Sequence, residues 1–569
     1  MNAHHSTTTF TQTDEEEDAR ILRENLAREA FREWPNDAGF DGLTEHRGPI
    51  ELQVEGNIPA WATGSLYRTG PGACKIEDTK SGTIHVSHWF DGLAHTHRFD
   101  IMPAADGNGV RVMYSSRRQS EAFEKEIRAM GVIRALTFGQ RSDPCVGIYS
   151  KFMSMFRRPE HLDNICVTVN ANMPGFPSVV AADASSEGHR AGPKNVFLAT
   201  DTSWFSEIDP KTMEPMAAVS QKQLHPDLRG PVGPAHVLQD PETGDFFSFN
   251  ADYGMQATYR VFQITARGEV KILATFASKA GYIHSFFLSR SYVIVCVPVA
   301  HYKLGGIQIL WEGSALEAWK PFDPSEPCRW FVVDRVNGEG VVAEFTSPAG
   351  FFFHSANAFE DTDGDILCDL IAYPNSNIVS GMYYDVLLNR NEAAKAFWTE
   401  GQKQAPCHPS LVRYRFSGRD FGKHSGKGEL PSPALELQIP APHAGDMPTI
   451  NPAFACRQHR YVYCLTSRGL STIFDSIARV DTQTREVLMW KGPIGHTPSE
   501  ALFVSRKEKG GAVAPADELD GVLLTVVLDG ENRKSYLLCL DPKTMTEMGR
   551  AECEFAVGLG FHGQHVVDI

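Results

Sequence analysis

From about residue 50 onward the chain is written in short apolar runs rich in Val, Ile, Phe and Tyr, broken by Gly, Pro, Asp and Asn. NVFLATD (195–201), DFFSFN (245–250), RYVYCLT (460–466) and GVLLTVVLD (521–529) are examples. Runs of this length and composition between turn residues are strands, so an all-β chain is expected. One turn recurs, as IDPKTME (208–214), QDPETGD (239–245), VDTQTRE (480–486) and LDPKTMT (540–546). Each sets Asp three residues ahead of Thr: Asp209/Thr212, Asp240/Thr243, Asp481/Thr484 and Asp541/Thr544. Asp opens such a turn by accepting backbone N–H bonds, and Pro presets the next φ. Four copies of one hairpin in a long all-β chain favour a β-propeller over a sandwich.

Four histidines stand in strand-like contexts: His236 (GPAHVLQD), His284 (GYIHSFFLS), His354 (FFFHSANAFED) and His562 (GFHGQHVVD). Gaps of 48, 70 and 208 residues exclude any local loop or helix that could gather them. A closed fold that brings distant strands to one axis would do so. Together they would offer four neutral imidazoles to one ion. Imidazole suits iron, zinc, copper and nickel, and open coordination positions are what oxygen chemistry needs. Any one of them alone, among 21 histidines, reads more simply as an ordinary residue. His95 and His97 alternate along a strand and share a face, a second spacing that could bind a metal.

At 569 residues the chain could hold several domains, but closed all-β folds use this much chain as one unit. The formal net charge of -16, with no long basic block, argues against nucleic acid as a partner. The 11 cysteines contain no C-x-x-C pair, and several sit in apolar runs (Cys296, Cys464, Cys539). They read as buried, reduced thiols of a cytoplasmic protein. The first residues lack the apolar core of a signal peptide. Residues 1–18, with the acidic run Asp14 to Asp18, are expected to be a solvated, disordered tail. Residues 19–34 read as an amphipathic helix with Ile21, Leu22, Leu26, Ala30 and Phe31 near one face. This divides the chain into a tail, 1–44, and a single catalytic domain, 45–569. Stretches 120–158 and 383–400 look helical and read as insertions covering one face, where loops carry function. No obligate protein partner is evident.

No stretch reaches the ~20 apolar residues of a membrane-spanning helix, so any membrane contact would be peripheral. The segment 128–158 sets Arg128, Arg134, Arg141, Lys151, Arg157 and Arg158 against one acid, Asp143, among aromatic and aliphatic residues. Apolar surface with basic flanks suits docking on an anionic membrane.

GSLYRTGPG (64–72), HWFDGLAHTHRFD (88–100), the four histidine contexts and PSEALFVSR (498–506) resemble the carotenoid cleavage oxygenases. That family includes the retinal pigment epithelium retinoid isomerase and the stilbene-cleaving enzymes, and the resemblance runs from about residue 45 to the C-terminus. It implies a seven-bladed β-propeller with a helical cap over a central iron. It implies Fe(II) held by His236, His284, His354 and His562, with O2 and a lipophilic polyene as partners. The family splits a conjugated C=C into two carbonyls. Three family glutamates accept the outer ring N–H of the ligating histidines, which fixes their tautomer. Glu500 matches one. The other two positions hold Asp201 (LATDTSW) and Asp446 (GDMPTINP), one methylene shorter, so a backbone shift or a bridging water is expected. Which carboxylate serves which histidine stays open. The block with His95 and His97 supplies no ligand in relatives and is taken as structural. DPC at 143–145 resembles the isomerase branch, which makes Cys145 a candidate acylation site. Thr200 stands where stilbene cleavers carry Lys, which disfavours a phenolic stilbene. The nearest likeness is to fungal oxygenases that cut torulene or β-carotene. Torulene cleavage to an apocarotenal is the expected activity. β-Carotene cleavage to retinal, a non-cleaving isomerase and a carotenoid-binding protein are the alternatives.

Overall fold

A computed structural model describes residues 7–10, 14–104, 109–141, 164–176, 193–404, 406–423, 428–506 and 517–567. The apolar runs are strands, and many are buried along nearly their whole length, as in Gly521–Asp529. Strands read this way when both faces of their sheet are covered. Here the faces are covered by neighbouring sheets, and the apolar clusters lie between them.

Sheet order follows chain order. Five blade-like antiparallel sheets are built from consecutive stretches: 168–220, 238–278, 287–347, 351–440 and 446–491. A ten-stranded sheet then joins the two ends of the chain, from His496–Pro498 through Thr546–Cys553 to Ile50–Gly56, and on to Gly64–Ala73 and the C-terminal Gly563–Val566. This all-β, propeller-like arrangement corrects the expected seven blades: among the described residues there are five separate blade sheets, one continuous sheet and a two-stranded hairpin, Lys75–Thr79 with Gly82–His85. The cause is Ile50–Gly56, whose two halves pair with different strands. Ile50–Leu52 pair with Tyr114–Val112, and Gln53–Gly56 pair with Glu552–Gly549. The strand passes from one sheet into the next along its length and so joins them. The innermost strands of adjacent sheets touch, as Phe287–Leu288 with Phe351–Glu360, and the latter with Asp446–Thr449.

All four recurrent turns are hairpin turns. Asp209, Asp240, Asp481 and Asp541 each accept a backbone N–H on Oδ1 from the residue two positions on. In each the fourth residue after Asp is left-handed: Met213, Gly244, Arg485 and Met545. Three of those are not glycine, so the turn geometry outweighs the left-handed strain.

The N-terminal segment departs from the expected disorder. Thr7–Phe10 adds a strand to the edge strand Val487–Lys491. The helix Glu15–Ala27 begins inside the acidic run, where carboxylates suit the positive end of the helix dipole. Glu15 pairs with Arg485 and Asp18 with His443, each at 2.9 Å. Of the stretch 120–158, Glu121–Met130 is helical. Residues 142–158, with Cys145 and the DPC string, lie outside the described residues. The stretch 383–400 is a chain of short helical turns rather than one helix, interrupted by left-handed Asn389, Asn391 and Glu392. The ten described cysteines are buried and unpaired. Among the described residues no helix is long and apolar enough to cross a membrane.

Candidate metal centre

The four histidines sit at the beginnings of the innermost strands of four different sheets. His236, His284 and His562 precede Leu238–Gln239, Phe287–Leu288 and Gly563–Val566, and His354 lies inside Phe351–Glu360. A bulge at Phe353–His354, where the register to Ile366–Tyr373 shifts, re-aims His354. One ligand atom from each ring lies within 4.8 Å of all the others. His284, His354 and His562 are buried; His236 is half-buried.

Each of the three buried rings turns Nδ1 outward to a carboxylate. His284 Nδ1 donates to Asp201 Oδ2 at 2.9 Å, His354 Nδ1 to Asp446 Oδ1 at 2.7 Å and His562 Nδ1 to Glu500 Oε1 at 2.7 Å. The aspartates therefore reach their rings directly, without a bridging water. Each carboxylate also accepts a backbone N–H: Ala235 on Asp201, Met447 on Asp446 and Gly563 on Glu500. His236 has no carboxylate of its own, but Asp201 holds the residue before it.

This donor set fits a cation. With Nδ1–H given to carboxylates, each Nε2 carries a lone pair. His354 Nε2 and His562 Nε2 nevertheless stand 3.0 Å apart, and His236 Nε2 is buried without a hydrogen-bond partner. Lone pairs converging in a buried space call for a positive charge between them. A metal requires the neutral form of the ring, and two of the four are pushed towards it. Burial, then the neighbouring His562, His284 and His354, pushes His236 far below the ordinary histidine value. Burial also takes His354 down to about 4 despite Asp446. Burial works against ionising Asp446 and Glu500, but their histidines outweigh it and keep both below the usual carboxylate range.

Sequence reasoning missed three supports. The Tyr282 hydroxyl donates to Asp201 Oδ2 and the Tyr373 hydroxyl to Asp446 Oδ2, each at 2.7 Å. Buried Arg68 donates from Nη1 to the Glu500 carbonyl at 3.0 Å and from Nη2 to the Phe561 carbonyl at 3.4 Å, gripping the backbone of two site segments. Arg68 lies in the GSLYRTGPG string, the one signal that pointed to it. His95 and His97 stack on each other at 4.4 Å, outside the four-histidine group.

An apolar cavity opens onto His284, His354 and His562. Trp89, Phe90, Phe353 and Phe561 wall it beside the rings, and Leu22, Leu26, Ile378, Met382 and Trp398 line it from the helical segments. Asp91 of HWFDG accepts the N–H groups of Phe138 and Gly139 at 2.6 and 2.7 Å, which seats Phe138 against Phe90.

The sequence profile of the family described as retinal pigment epithelial membrane protein matches residues 39–567. The chain belongs to that family. It is 47% identical to a carotenoid dioxygenase of Neurospora crassa, over 99% of this chain and 96% of the relative. It is 45% identical to a torulene dioxygenase of Gibberella fujikuroi, over 98% of each. The mouse β,β-carotene 15,15′-dioxygenase is 26% identical over 92% of this chain and 90% of its own length. Among solved structures, an apocarotenoid oxygenase of Synechocystis superposes with a TM-score of 0.69 at 19% identity, covering 96% of this chain and 99% of its own. A cobalt-substituted form of that enzyme superposes with a TM-score of 0.68 at 19% identity, covering 94% and 99%. The family is one of metalloenzymes, and the histidine cluster of this chain could bind a metal.

Proposed function

We propose that this chain is a non-haem Fe(II) dioxygenase that cleaves a conjugated C=C bond of a carotenoid with O2, giving aldehyde products, and that torulene is its substrate. The observation that carries the reading is the convergence of four imidazoles beside an apolar cavity. His236, His284, His354 and His562 would hold the ion, and Asp201, Asp446 and Glu500 would fix three of the rings. Ferrous iron would supply the redox chemistry that activates dioxygen. The chain's own residues do the rest. The carboxylates keep the Nδ1 protons and leave Nε2 free to bind. The aromatic wall orients a flat polyene, and the apolar lining excludes water from the reacting bond. The helical segments with residues 376–404 and Glu15–Ala27 act as the cap, and residues 45–569 as the catalytic unit.

Torulene is preferred over β-carotene because the 45% relative named for torulene far exceeds the 26% relative named for β,β-carotene. Purified chain loaded with Fe(II) in detergent micelles would be given torulene and β-carotene side by side, with products identified by mass spectrometry. A torulene-derived apocarotenal is expected. Retinal from β-carotene alone would overturn the substrate, and no aldehyde from either, with iron bound, would overturn the activity.

Peripheral docking on a membrane belongs to the same proposal, with a cytoplasmic location. Met255 and Leu304 are 85% and 63% exposed, and Ile307, Leu310 and Leu136 are exposed too. Their segments adjoin: Gly305 packs on Gly254, and the Thr137 N–H bonds to the Gly313 carbonyl at 3.0 Å. Leu304→Glu with Ile307→Glu should abolish co-sedimentation with anionic vesicles; unchanged binding would discard this surface.

A further inference from the structure

The carboxylates that hold the histidines are of two kinds. Glu500 reaches His562 with its longer side chain and takes its second bond from the Gly563 N–H. The two aspartates, by contrast, are each gripped by a buried phenol. The Tyr282 hydroxyl is 2.7 Å from Asp201 Oδ2, and its oxygen lies 3.1 Å from His284 Nδ1. The Tyr373 hydroxyl is 2.7 Å from Asp446 Oδ2, the oxygen not used by His354. The two tyrosines come from unrelated places. Tyr282 stands two residues before the histidine it serves, whereas Tyr373 ends the strand next to the one carrying His354. Both shorter carboxylates, reached from unrelated places, carry a buried phenol at 2.7 Å, although Tyr282 shares its oxygen with the ring and Tyr373 does not.

Resting on the metal reading above, we infer that Tyr282 and Tyr373 are positioning residues that make up for the missing methylene of Asp201 and Asp446. An aspartate has fewer torsions than a glutamate and a shorter reach, so its carboxylate plane must be set from behind to meet the ring N–H. A phenol does this by constraining rotation of the carboxylate: at Asp446 it holds Oδ2 while His354 takes Oδ1, and at Asp201 it holds Oδ2, the oxygen it shares with the His284 ring. A hydrogen bond to an ionised acceptor is stronger than a neutral one, so the constraint is stiff. The Tyr–Asp–His chains thus orient two imidazoles as Glu500 alone orients the third.

The test is metal retention, not turnover. Chain loaded anaerobically with Fe(II) would be mixed with excess ferrous chelator and iron release followed by absorbance. Tyr282→Phe and Tyr373→Phe should each release iron about 10-fold faster, the low end for losing an outer partner of a metal ligand. Tyr463→Phe is the control, since its hydroxyl is buried without a hydrogen-bond partner and should leave release unchanged. Asp446→Glu placed in the Tyr373→Phe chain should restore slow release. Both tyrosine variants releasing iron at the wild-type rate would overturn the inference. So would fast release from Tyr373→Phe that the longer carboxylate does not correct, since that would make Tyr373 a packing residue. Wild-type chain that takes up no iron would instead bring down the metal reading itself.

Discussion

A ligating histidine needs its outer nitrogen occupied, and here three are occupied by three different carboxylates at 2.7–2.9 Å. Glu500 illustrates how much rests on one such group. Its two oxygens accept from the His562 ring and from the Gly563 N–H, and it is buried. Glu500→Gln keeps the shape but replaces one acceptor oxygen by a donor, so one of those two bonds must fail. Iron affinity should fall by roughly 10–100-fold, as measured by anaerobic titration against a chelator. An unchanged affinity would leave Glu500 a purely structural role. His354→Ala should go further. It removes one of the four rings proposed to hold the ion and strands Asp446 as a buried charge, so iron content after desalting should fall to background.

Among the secondary elements, the strand Asp446–Thr449 shows how the backbone aims a side chain. It is preceded by Gly445, where a Cβ would lie 1.7 Å from the Leu465 carbonyl of the neighbouring strand. Asp446 is itself paired with Leu465, and Met447 turns left-handed at φ 51°. Only glycine permits this close approach, and the approach delivers Asp446 to His354. Gly445→Ala should therefore cost about 3 kcal/mol of stability, because the Leu465 backbone carbonyl cannot yield as a side-chain end would. It should also loosen iron through a displaced Asp446. A thermal melt and an iron assay on the same preparation would check both; a stable, fully loaded variant would contradict the argument.

Across the whole molecule, burial dictates how the protein meets acid. His88 and His95 lie outside the metal group, and burial takes them down to about 4 and about 3. Their folded values lie below the unfolded value of about 6.5, so between those limits the unfolded chain binds more protons. Stability is then present above pH ~6.5 and is lost as pH falls, by up to about 3 kcal/mol for each histidine near pH 4. Glu45, held at about 2 against the opposition of burial by Arg117, acts in the same direction at lower pH. Asp91 opposes them: burial raises it to about 6, so its contribution declines as pH rises through that value. The histidines and the low carboxylates outnumber it. The melting temperature should fall steadily from pH 7 to pH 4.5, and His95→Gln should flatten the fall. A flat profile in the unaltered chain would show that these rings are solvated.

What the sequence determined by itself is local or compositional. Strand identity follows from β-branched and aromatic runs, the hairpins from Asp placed three residues before Thr, and the four histidines and Glu500 from their strings. The propeller-like class followed from repetition. Tertiary structure alone decided the rest. Pairing of the two halves of Ile50–Gly56 with different strands merges what would have been separate sheets, and nothing in seven residues of sequence announces two partners. The acidic start reads as solvated until Arg485 and His443, far along the chain, supply its partners. The matching of carboxylate to ring, and the phenols of Tyr282 and Tyr373 behind the aspartates, depend on distances between residues up to 92 positions apart. Hydrogen bonds act over about 3 Å, whereas sequence spacing carries information only within a strand or a turn; closing the sheets around one axis converts the second kind of distance into the first.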